Sequence, residues 1–380
     1  MSEACARFGH PERAFRAVHV AGTNGKGSVS AMIATMLHAE GKRVGLYTSP
    51  HLCRFAERIR IANEPIDDAL LVPLLEEVLE GAPELTFFEA ATLTAFLAFA
   101  RAGVEVAVVE VGLGGRLDAT NVIPSPLATA ITRIAIDHVA QLGDSIASIA
   151  REKAGILKPG VPVVLGPLQD EARTEIIDIA HKARTQVIFA ENEAENPLLD
   201  GSMGLDGPHQ RDNAAIAIAL GKLLGLRETS IARGLREVRW PGRLETLSTP
   251  EGTYLLDAAH NPDGASSLAR ALRTRDLDSK RVALVFGAMA DKDYPAMLDL
   301  LVPFAEHRVY VAPQGRTPAD PQALATTFGG ITADSVQRGI ELARNAVGPE
   351  GLVVIAGSIF LVGEARSLLL GIPRDPLIAL

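Results

Sequence analysis

The feature that most constrains this fold is a short apolar strand that runs through a glycine-rich turn into a helix. Residues 17–21 (AVHVA) predict the strand, and residues 22–28 (GTNGKGS) follow it directly. Apolar side chains then recur with helical spacing at Val29, Met32, Ile33, Met36 and Leu37. This order of elements is typical of a parallel β-sheet covered by helices.

The same alternation continues along the chain. Further strands are predicted at residues 43–47, 104–111, 127–132 and 161–165, and a second series at 253–257, 282–286, 309–312 and 352–356. Residues 239–244 (RWPGRL) interrupt the pattern with Pro and Gly, so we expect domains at 1–240 and 241–380. The expected fold class is α/β: a P-loop-type, mostly parallel sheet domain followed by a smaller Rossmann-like α/β C-terminal domain.

Composition narrows the class of protein. A chain of 380 residues with a net charge of -9 has no basic field for nucleic acid or for an anionic membrane. Two cysteines are too few for a disulfide framework, and no apolar stretch has the length of a membrane span. We therefore expect a cytoplasmic protein without nucleic-acid or membrane partners, and a monomer, because no apolar interface stripe is visible.

The turn after the first strand has the composition of a phosphate-binding loop. Backbone amides in such a loop, together with the helix N-terminus behind it, favour phosphate oxygens, and Lys26 adds a positive charge. The loop residues are Gly22, Thr23, Asn24, Gly25, Lys26, Gly27 and Ser28. The common P-loop pattern has Gly where this chain has Val20, and Ser or Thr where it has Gly27. The alternative is a glycine-rich turn with an incidental lysine.

Three more residues are candidates for phosphate chemistry. Glu110 ends an apolar strand, at the edge of a parallel sheet where ligands bind, and its carboxylate could hold Mg²⁺. It could equally be a strand-terminal glutamate that faces water. The residue type alone favours an ordinary surface or core histidine at His138. The plain alternative for Lys153 is a solvated lysine paired with a nearby acid.

Nine segments in a fixed order resemble one family. The chain is similar to the folylpolyglutamate synthase/dihydrofolate synthase branch of the Mur-type amide ligases. The segments are HVAGTNGKGS (19–28), YTSPHL (47–52), TFFE (86–89), EVGLGGRLDATN (110–121), DH (137–138), EKAGI (152–156), HQRDN (209–213), PGRLE (241–245) and DAAHNP (257–262).

The resemblance implies an ATP site with Mg²⁺. It implies that Asn213, Arg243, Asp257 and His260 contact the nucleotide together with the glycine-rich loop. It further implies that Ser49, Glu110 and His138 hold Mg²⁺ and that Lys153 is carbamylated beside a second metal ion. Lys26, Lys153 and His260 would be the catalytic residues. ATP would lie between two domains that close on binding. The turn sequence at residues 261–264 offers a plainer role for Asp257 and His260, as a capped turn.

The resemblance also implies the substrates. The chain would add L-glutamate to dihydropteroate and to tetrahydrofolate, through an acyl-phosphate intermediate. Residues matching the dihydropteroate pocket are Thr86, Phe87, Phe88, Glu89, Leu117, Asp118 and Ala119. Residues 115–121 are similar to those of bifunctional enzymes. The family's longer N-terminal segment contributes to the pterin site. Either the start codon of this chain is placed late, or this part of the site is absent, which would weaken dihydropteroate binding.

Other functions remain open from the sequence. Arg54, Arg58 and Arg60 could attract an anionic folate, or they could belong to a charged loop. Only 21 residues precede Gly22, which disfavours a cell-wall nucleotide-sugar substrate. The alternatives are a ligase of the same chemistry with another acceptor, a P-loop NTPase that acts as a switch, and a catalytically inactive binding protein.

Overall fold

A computed structural model describes residues 1–275, 277–315 and 317–376. The chain divides into two compact units. The first unit comprises Met1–His51, Phe55–Leu205 and His209–Arg239. The second comprises Leu52–Arg54, Asp206–Pro208 and the chain from Trp240 onward.

The first unit is built on a sheet with strand order β4-β3-β2-β5-β1-β6-β7-β8. Its strands are β1 (Arg16–Ala21), β2 (Val44–Tyr47), β3 (Ile59–Ile61), β4 (Glu64–Pro65), β5 (Val106–Glu110), β6 (Ala128–Ile131), β7 (Val163–Leu165) and β8 (Val187–Phe189). The pairs β2–β3 and β3–β4 are antiparallel, and the other neighbours are parallel.

Helices cover both faces of this sheet. They are α1 (Ser2–Arg7), α2 (Lys26–Ala39), α3 (Asp68–Gly81), α4 (Phe87–Arg101), α5 (Val139–Leu142), α6 (Ile146–Ala154), α7 (Asp170–Lys182), α8 (Pro208–Leu223) and α9 (Glu228–Glu237). On one face, Ala17 and Val109 join an apolar cluster with Leu93 and Phe96 of α4. Alternate residues such as Val18 and Val108 are fully buried on the other face, where α2 packs beside α9.

The second unit is a smaller sheet with strand order β13-β12-β11-β14-β10-β9, parallel except for the β9–β10 pair. Its strands are β9 (Glu245–Thr249), β10 (Gly252–Asp257), β11 (Val282–Phe286), β12 (His307–Tyr310), β13 (Ile331–Thr332) and β14 (Leu352–Ala356). Its helices are α10 (Pro262–Arg273), α11 (Tyr294–Leu301), α12 (Pro321–Phe328), α13 (Val336–Val347) and α14 (Ile359–Leu370).

The apolar runs that predicted the strands are the buried strands of the two sheets. β5, β11 and β14 are buried along their whole length, as strands covered by helices on both faces must be. The expected fold class is therefore confirmed. The sequence pattern does not predict β3, β4, β8, β9 and β13. All five are short or partly exposed and lie towards the sheet edges, where the apolar pattern is weak.

Short 3₁₀ turns link several of these elements. They lie at Pro11–Arg13, Phe55–Arg58, Ala119–Val122, Ala190–Glu193, Pro197–Leu199, Ser279–Arg281 and Val302–Phe304. Across the part of the chain that the structure describes, no helix combines the length and the apolar character needed to cross a membrane.

Candidate active site

The candidate site lies at the carboxyl ends of four adjacent strands of the first unit, β2, β5, β1 and β6. Each of these strands leads directly into a segment that the sequence analysis singled out. β1 leads to Gly22, β2 to Ser49, β5 ends at Glu110, and β6 leads towards His138. Because neighbouring parallel strands end at the same edge of a sheet, residues far apart in sequence meet here.

Residues 22–25 form a tight turn between β1 and α2, and residues 26–28 open α2. Gly22 (φ 148°) and Gly25 (φ 89°) have backbone conformations that favour glycine. A Cβ on Gly22 would lie 1.9 Å from Thr132 Oγ1, and one on Gly25 would lie 2.3 Å from Asn213 Oδ1. The Thr132 hydroxyl donates to the Asn24 carbonyl over 2.7 Å. The loop therefore packs closely against Thr132 and Asn213, and a side chain at either glycine would clash with these neighbours.

Lys26 and Ser49 converge on Glu110. The Lys26 Nζ lies 4.0 Å from Glu110 Oε1, and the backbone N–H of Ser49 donates to Glu110 Oε2 over 3.3 Å. The Glu110 side chain is buried, so the alternative of a glutamate that faces water is wrong. Lys26 Nζ also donates to the carbonyl of Thr23, within the loop itself.

These residues fit a magnesium ion that takes its remaining ligands from phosphate and water. Among the residues that the structure describes, no three His, Cys, Asp or Glu side chains form a cluster able to hold a metal ion. Glu110 supplies one buried carboxylate, with the Ser49 backbone beside it. Mg²⁺ is usually bound by one or two carboxylates plus substrate phosphates, and not by a closed protein cage.

His138 has an unusual backbone for a non-glycine residue, with φ at 51°. It precedes α5, and its Nε2 lies 3.9 Å from the buried Asp137 carboxylate. Its backbone N–H also donates to Asp137 Oδ1. The structure therefore pairs His138 with Asp137, and the predicted role of His138 as a metal ligand stays a prediction.

Lys153 is buried at the end of α6, with 4% of its surface exposed. Its Nζ donates to the Gly22 carbonyl over 2.9 Å. Burial, assisted by the positive charge of Lys26, lowers the Lys153 pKa to about 7, although Asp137 and Asp118 oppose the shift. The alternative of a solvated lysine is therefore wrong. A large share of this amine is neutral near pH 7.

The segment 86–89 begins α4. Thr86 and Glu89 form a capping box, in which Thr86 Oγ1 accepts from the Glu89 N–H and Glu89 Oε2 accepts from the Thr86 N–H. Phe88 packs against Tyr47, and a Cβ on Gly112 would lie 2.4 Å from its ring. The Phe87 ring lies against the guanidinium of Arg58, whose pKa is lowered by burial.

Asp118 organises the turn that follows β5. Its Oδ2 accepts from the backbone N–H groups of Gly112 and Leu113, and its Oδ1 accepts from the N–H and the hydroxyl of Thr120. Burial raises the Asp118 pKa, and these four hydrogen bonds oppose the shift.

The two residues that flank Asp118 differ in exposure. Leu117 has 79% of its surface exposed, whereas Ala119 is buried. Of these two predicted pocket residues, only Leu117 is presented to solvent.

The second unit holds the remaining predicted residues at the carboxyl end of β10. Asp257 accepts from the N–H groups of Leu244 and Ala259, and the Arg243 guanidinium donates to the Gly242 carbonyl. His260 Nδ1 lies 3.0 Å from the Ala258 carbonyl. The Asn261 side chain caps α10, so the capped turn that the sequence predicts is present. Asp257 stabilises the residues just before this turn by accepting from the Ala259 N–H. The contacts of these residues with a nucleotide stay predictions.

Several residues that shape this site carry no assignment from the sequence. Thr132 supports the glycine-rich loop through its hydrogen bond to Asn24, and the charge of Asp137 acts on the pKa of Lys153. His19 forms a hydrogen bond with Thr120, which contacts Asp118. Thr132 and Asp137 follow β6, so the strand-end rule could have singled them out. His19 lies inside a strand, where no sequence pattern signals a role.

Two family descriptions match this chain. The Mur ligase middle domain matches residues 20–221, and the Mur ligase glutamate ligase domain matches residues 242–359. A folylpolyglutamate synthase from Lacticaseibacillus casei is 38% identical, with 96% of this chain and 92% of the relative covered. A dihydrofolate synthase/folylpolyglutamate synthase from Bacillus subtilis is 36% identical, covering 97% and 94%.

A solved structure agrees with these matches. The Mycobacterium tuberculosis folylpolyglutamate synthase complexed with ADP superimposes with a TM-score of 0.88 at 33% identity, covering 99% of this chain and 94% of that one. The chain therefore belongs to the Mur ligase family. Within that family, it belongs to the branch of the folylpolyglutamate and dihydrofolate synthases. The expected family and the expected class of enzyme, an ATP-dependent ligase, are confirmed, and a P-loop switch is excluded.

Lys153 predicts a pH-dependent stability. Its pKa falls from an ordinary value of 10.5 to about 7 on folding, so folding releases a proton between these values. The free energy of unfolding therefore rises with pH across this window, and the gain is lost as the pH falls back towards 7. We expect Lys153→Met to lack this slope in urea unfolding measured from about pH 7 to 9.5 in CO₂-free buffer.

Lys182→Met, an exposed lysine of α7, provides the control and should keep the wild-type slope. The same slope in wild type and Lys153→Met would contradict the lowered pKa of Lys153.

Proposed function

We propose that this chain uses ATP and L-glutamate to extend two folate-type acceptors, dihydropteroate and tetrahydrofolate or its polyglutamates. The observation that supports this most directly is the convergence of Lys26, Glu110 and Lys153 on the glycine-rich loop. The names of the relatives support the choice of acceptors, because one is a folylpolyglutamate synthase and another combines that name with dihydrofolate synthase.

In the proposed reaction, the acceptor carboxylate attacks the γ-phosphorus of ATP and ADP leaves, which gives an acyl phosphate. The α-amine of glutamate then attacks the acyl carbon, loses a proton and expels inorganic phosphate, so that an amide remains. The loop amides of residues 22–28 hold the triphosphate, and Lys26 neutralises charge that develops during transfer. We assign Asn213, Arg243, Asp257 and His260 to nucleotide contacts, and the last of these also to catalysis.

We assign Ser49, Glu110 and His138 to magnesium binding. Bound there, Mg²⁺ would neutralise phosphate charge and orient the reacting oxygens. We assign Phe87, Phe88 and Leu117 to the walls of the acceptor pocket. Thr86, Glu89, Asp118 and Ala119 belong to the same pocket segments but serve first to shape them. The first three have their polar side chains occupied by hydrogen bonds, and Ala119 is buried.

The proposed acceptors can be tested directly. Phosphate release from ATP is measured with Mg²⁺ and glutamate, adding dihydropteroate or tetrahydrofolate in turn, with the product mass recorded. We expect release with both acceptors, each gaining one glutamate residue. Release with tetrahydrofolate alone would limit the enzyme to polyglutamylation. No acceptor-dependent release from folded protein would exclude folate acceptors and favour another carboxylate.

Lys26 provides a second test. Lys26→Met should lower kcat by about 10²- to 10³-fold, as loss of a charge-stabilising donor typically does. The matched control is Lys42→Met, because Lys42 is exposed and pairs with Glu105. Equal kcat values for Lys26→Met and Lys42→Met would show that Lys26 does not act on the transferred phosphate.

The lowered pKa of Lys153 suits carbamylation. A neutral amine can attack CO₂, forming a C–N bond and releasing one proton, and the resulting carbamate would carry a negative charge next to Lys26. In ¹³C-bicarbonate, NMR of the native protein should show a carbamate signal that is missing from Lys153→Arg. Identical spectra for the two proteins would rule out the modification, independently of any activity measurement.

A further inference from the structure

His19 is a buried histidine in an apolar layer of the first unit. It lies on β1 with none of its surface exposed. Its direct neighbours across the sheet are Val109 of β5 and Thr129 of β6. Val109 and Ala17, two residues before His19 on the same strand face, belong to the apolar cluster under α4.

Burying the polar ring of His19 at this position costs free energy of folding. Burial lowers the His19 pKa to about 3, so the ring is neutral at any physiological pH. Its Nδ1 has no hydrogen-bond partner among the described residues. An aliphatic side chain would fill the same layer without leaving a buried polar atom unsatisfied, so packing alone does not explain a histidine here.

The other ring nitrogen makes a defined contact. His19 Nε2 lies 2.8 Å from Thr120 Oγ1, and the Thr120 hydroxyl contacts Asp118 Oδ1 over 2.5 Å. Three of the four groups around the Asp118 carboxylate are backbone N–H groups, which can only donate, so the carboxylate accepts and the single hydroxyl proton of Thr120 points to it. The Thr120 oxygen must then accept from His19, which places the ring proton on Nε2 and leaves Nδ1 as the unsatisfied acceptor.

The turn that Asp118 holds is packed closely against the end of α6. Arg116 N–H donates to the Glu152 carbonyl, and Asn121 Nδ2 donates to the Gly155 carbonyl. Across the turn, Gly112 lies against the Phe88 ring. A shift of the Asp118 carboxylate would therefore move the turn that carries Leu117. It would also move Gly112, which packs against the Phe88 ring.

We propose that His19 is a positioning residue: through the Thr120 hydroxyl it fixes the Asp118 carboxylate, and with it the turn at residues 112–121 that forms a wall of the acceptor pocket. This inference rests on the proposed function, because the pocket is assigned there. His19 does not touch substrate. It sets the affinity for the acceptor, and it leaves the binding of ATP unchanged.

Two pairs of variants separate positioning from packing. Glutamine places its amide nitrogen where histidine has Nε2, and asparagine places it near Nδ1, so His19→Gln keeps the donor and His19→Asn loses it. Thr120→Ser keeps the hydroxyl, and Thr120→Val loses it with little change of shape. Thr129→Val removes another fully buried hydroxyl beside His19 and is the control.

We expect the acceptor KM to rise about 5- to 20-fold in His19→Asn and Thr120→Val, the range for loss of one or two hydrogen bonds. The KM for ATP should stay within about twofold in all variants, and His19→Gln, Thr120→Ser and Thr129→Val should resemble wild type. The acceptor KM of the double variant His19→Asn/Thr120→Val should be no higher than that of the more impaired single variant, because both substitutions break the same chain of hydrogen bonds.

Other outcomes would overturn the inference. Equal rises in the KM for ATP and for the acceptor, or equal defects in His19→Gln and His19→Asn, would show a structural role only.

Wild-type protein offers a readout that needs no variant to fold, since ¹⁵N-histidine NMR should show an Nε2–H tautomer for His19 down to about pH 5. An Nδ1–H tautomer would contradict the proposal. Absence of acceptor-dependent turnover in wild type would instead contradict the proposed function.

Discussion

The hydrogen bond from the buried Lys153 amine to the Gly22 carbonyl joins the end of α6 to the glycine-rich loop, and the rest of the site is arranged around this junction. The last carbonyl groups of a helix have no partners within the helix. Here the Arg116 N–H and the Asn121 side chain supply donors to two of them. The end of one helix thus connects the glycine-rich loop on one side with the turn after β5 on the other.

Carboxylates that bind backbone amides recur at both sheets. Asp118 holds the turn after β5, and Asp257 holds the turn after β10 together with the N–H of Leu244, whose φ is 48°. In each case hydrogen bonds from backbone N–H groups to a carboxylate fix the conformation of a turn. The two units therefore use the same physical device where a strand ends and a candidate ligand site begins.

The local elements near the site were predictable because they follow local rules. The strand at residues 17–21, the glycine turn and helix α2 are visible as an apolar run, a glycine cluster and a 3.6-residue period. The short strands β3, β4 and β13, which lie at a sheet edge or next to it, were not predictable, since their residues are partly exposed and alternate weakly. Similar limits apply to single side chains: nothing local separates the buried Lys153 from an exposed lysine such as Lys182.

The sequence by itself determined the α/β class, the order of the two sheets, the glycine-rich loop and the resemblance to folate-type Mur ligases, because periodicity, glycine placement and motif order are properties of the linear chain. Only the tertiary structure decided that Lys153 is buried against Gly22, that Glu110 faces Lys26, and that His19 reaches Asp118 through Thr120. These contacts join residues about 80 to more than 100 positions apart, and burial and charge, which set pKa values, arise only when parallel strands bring such residues to one edge.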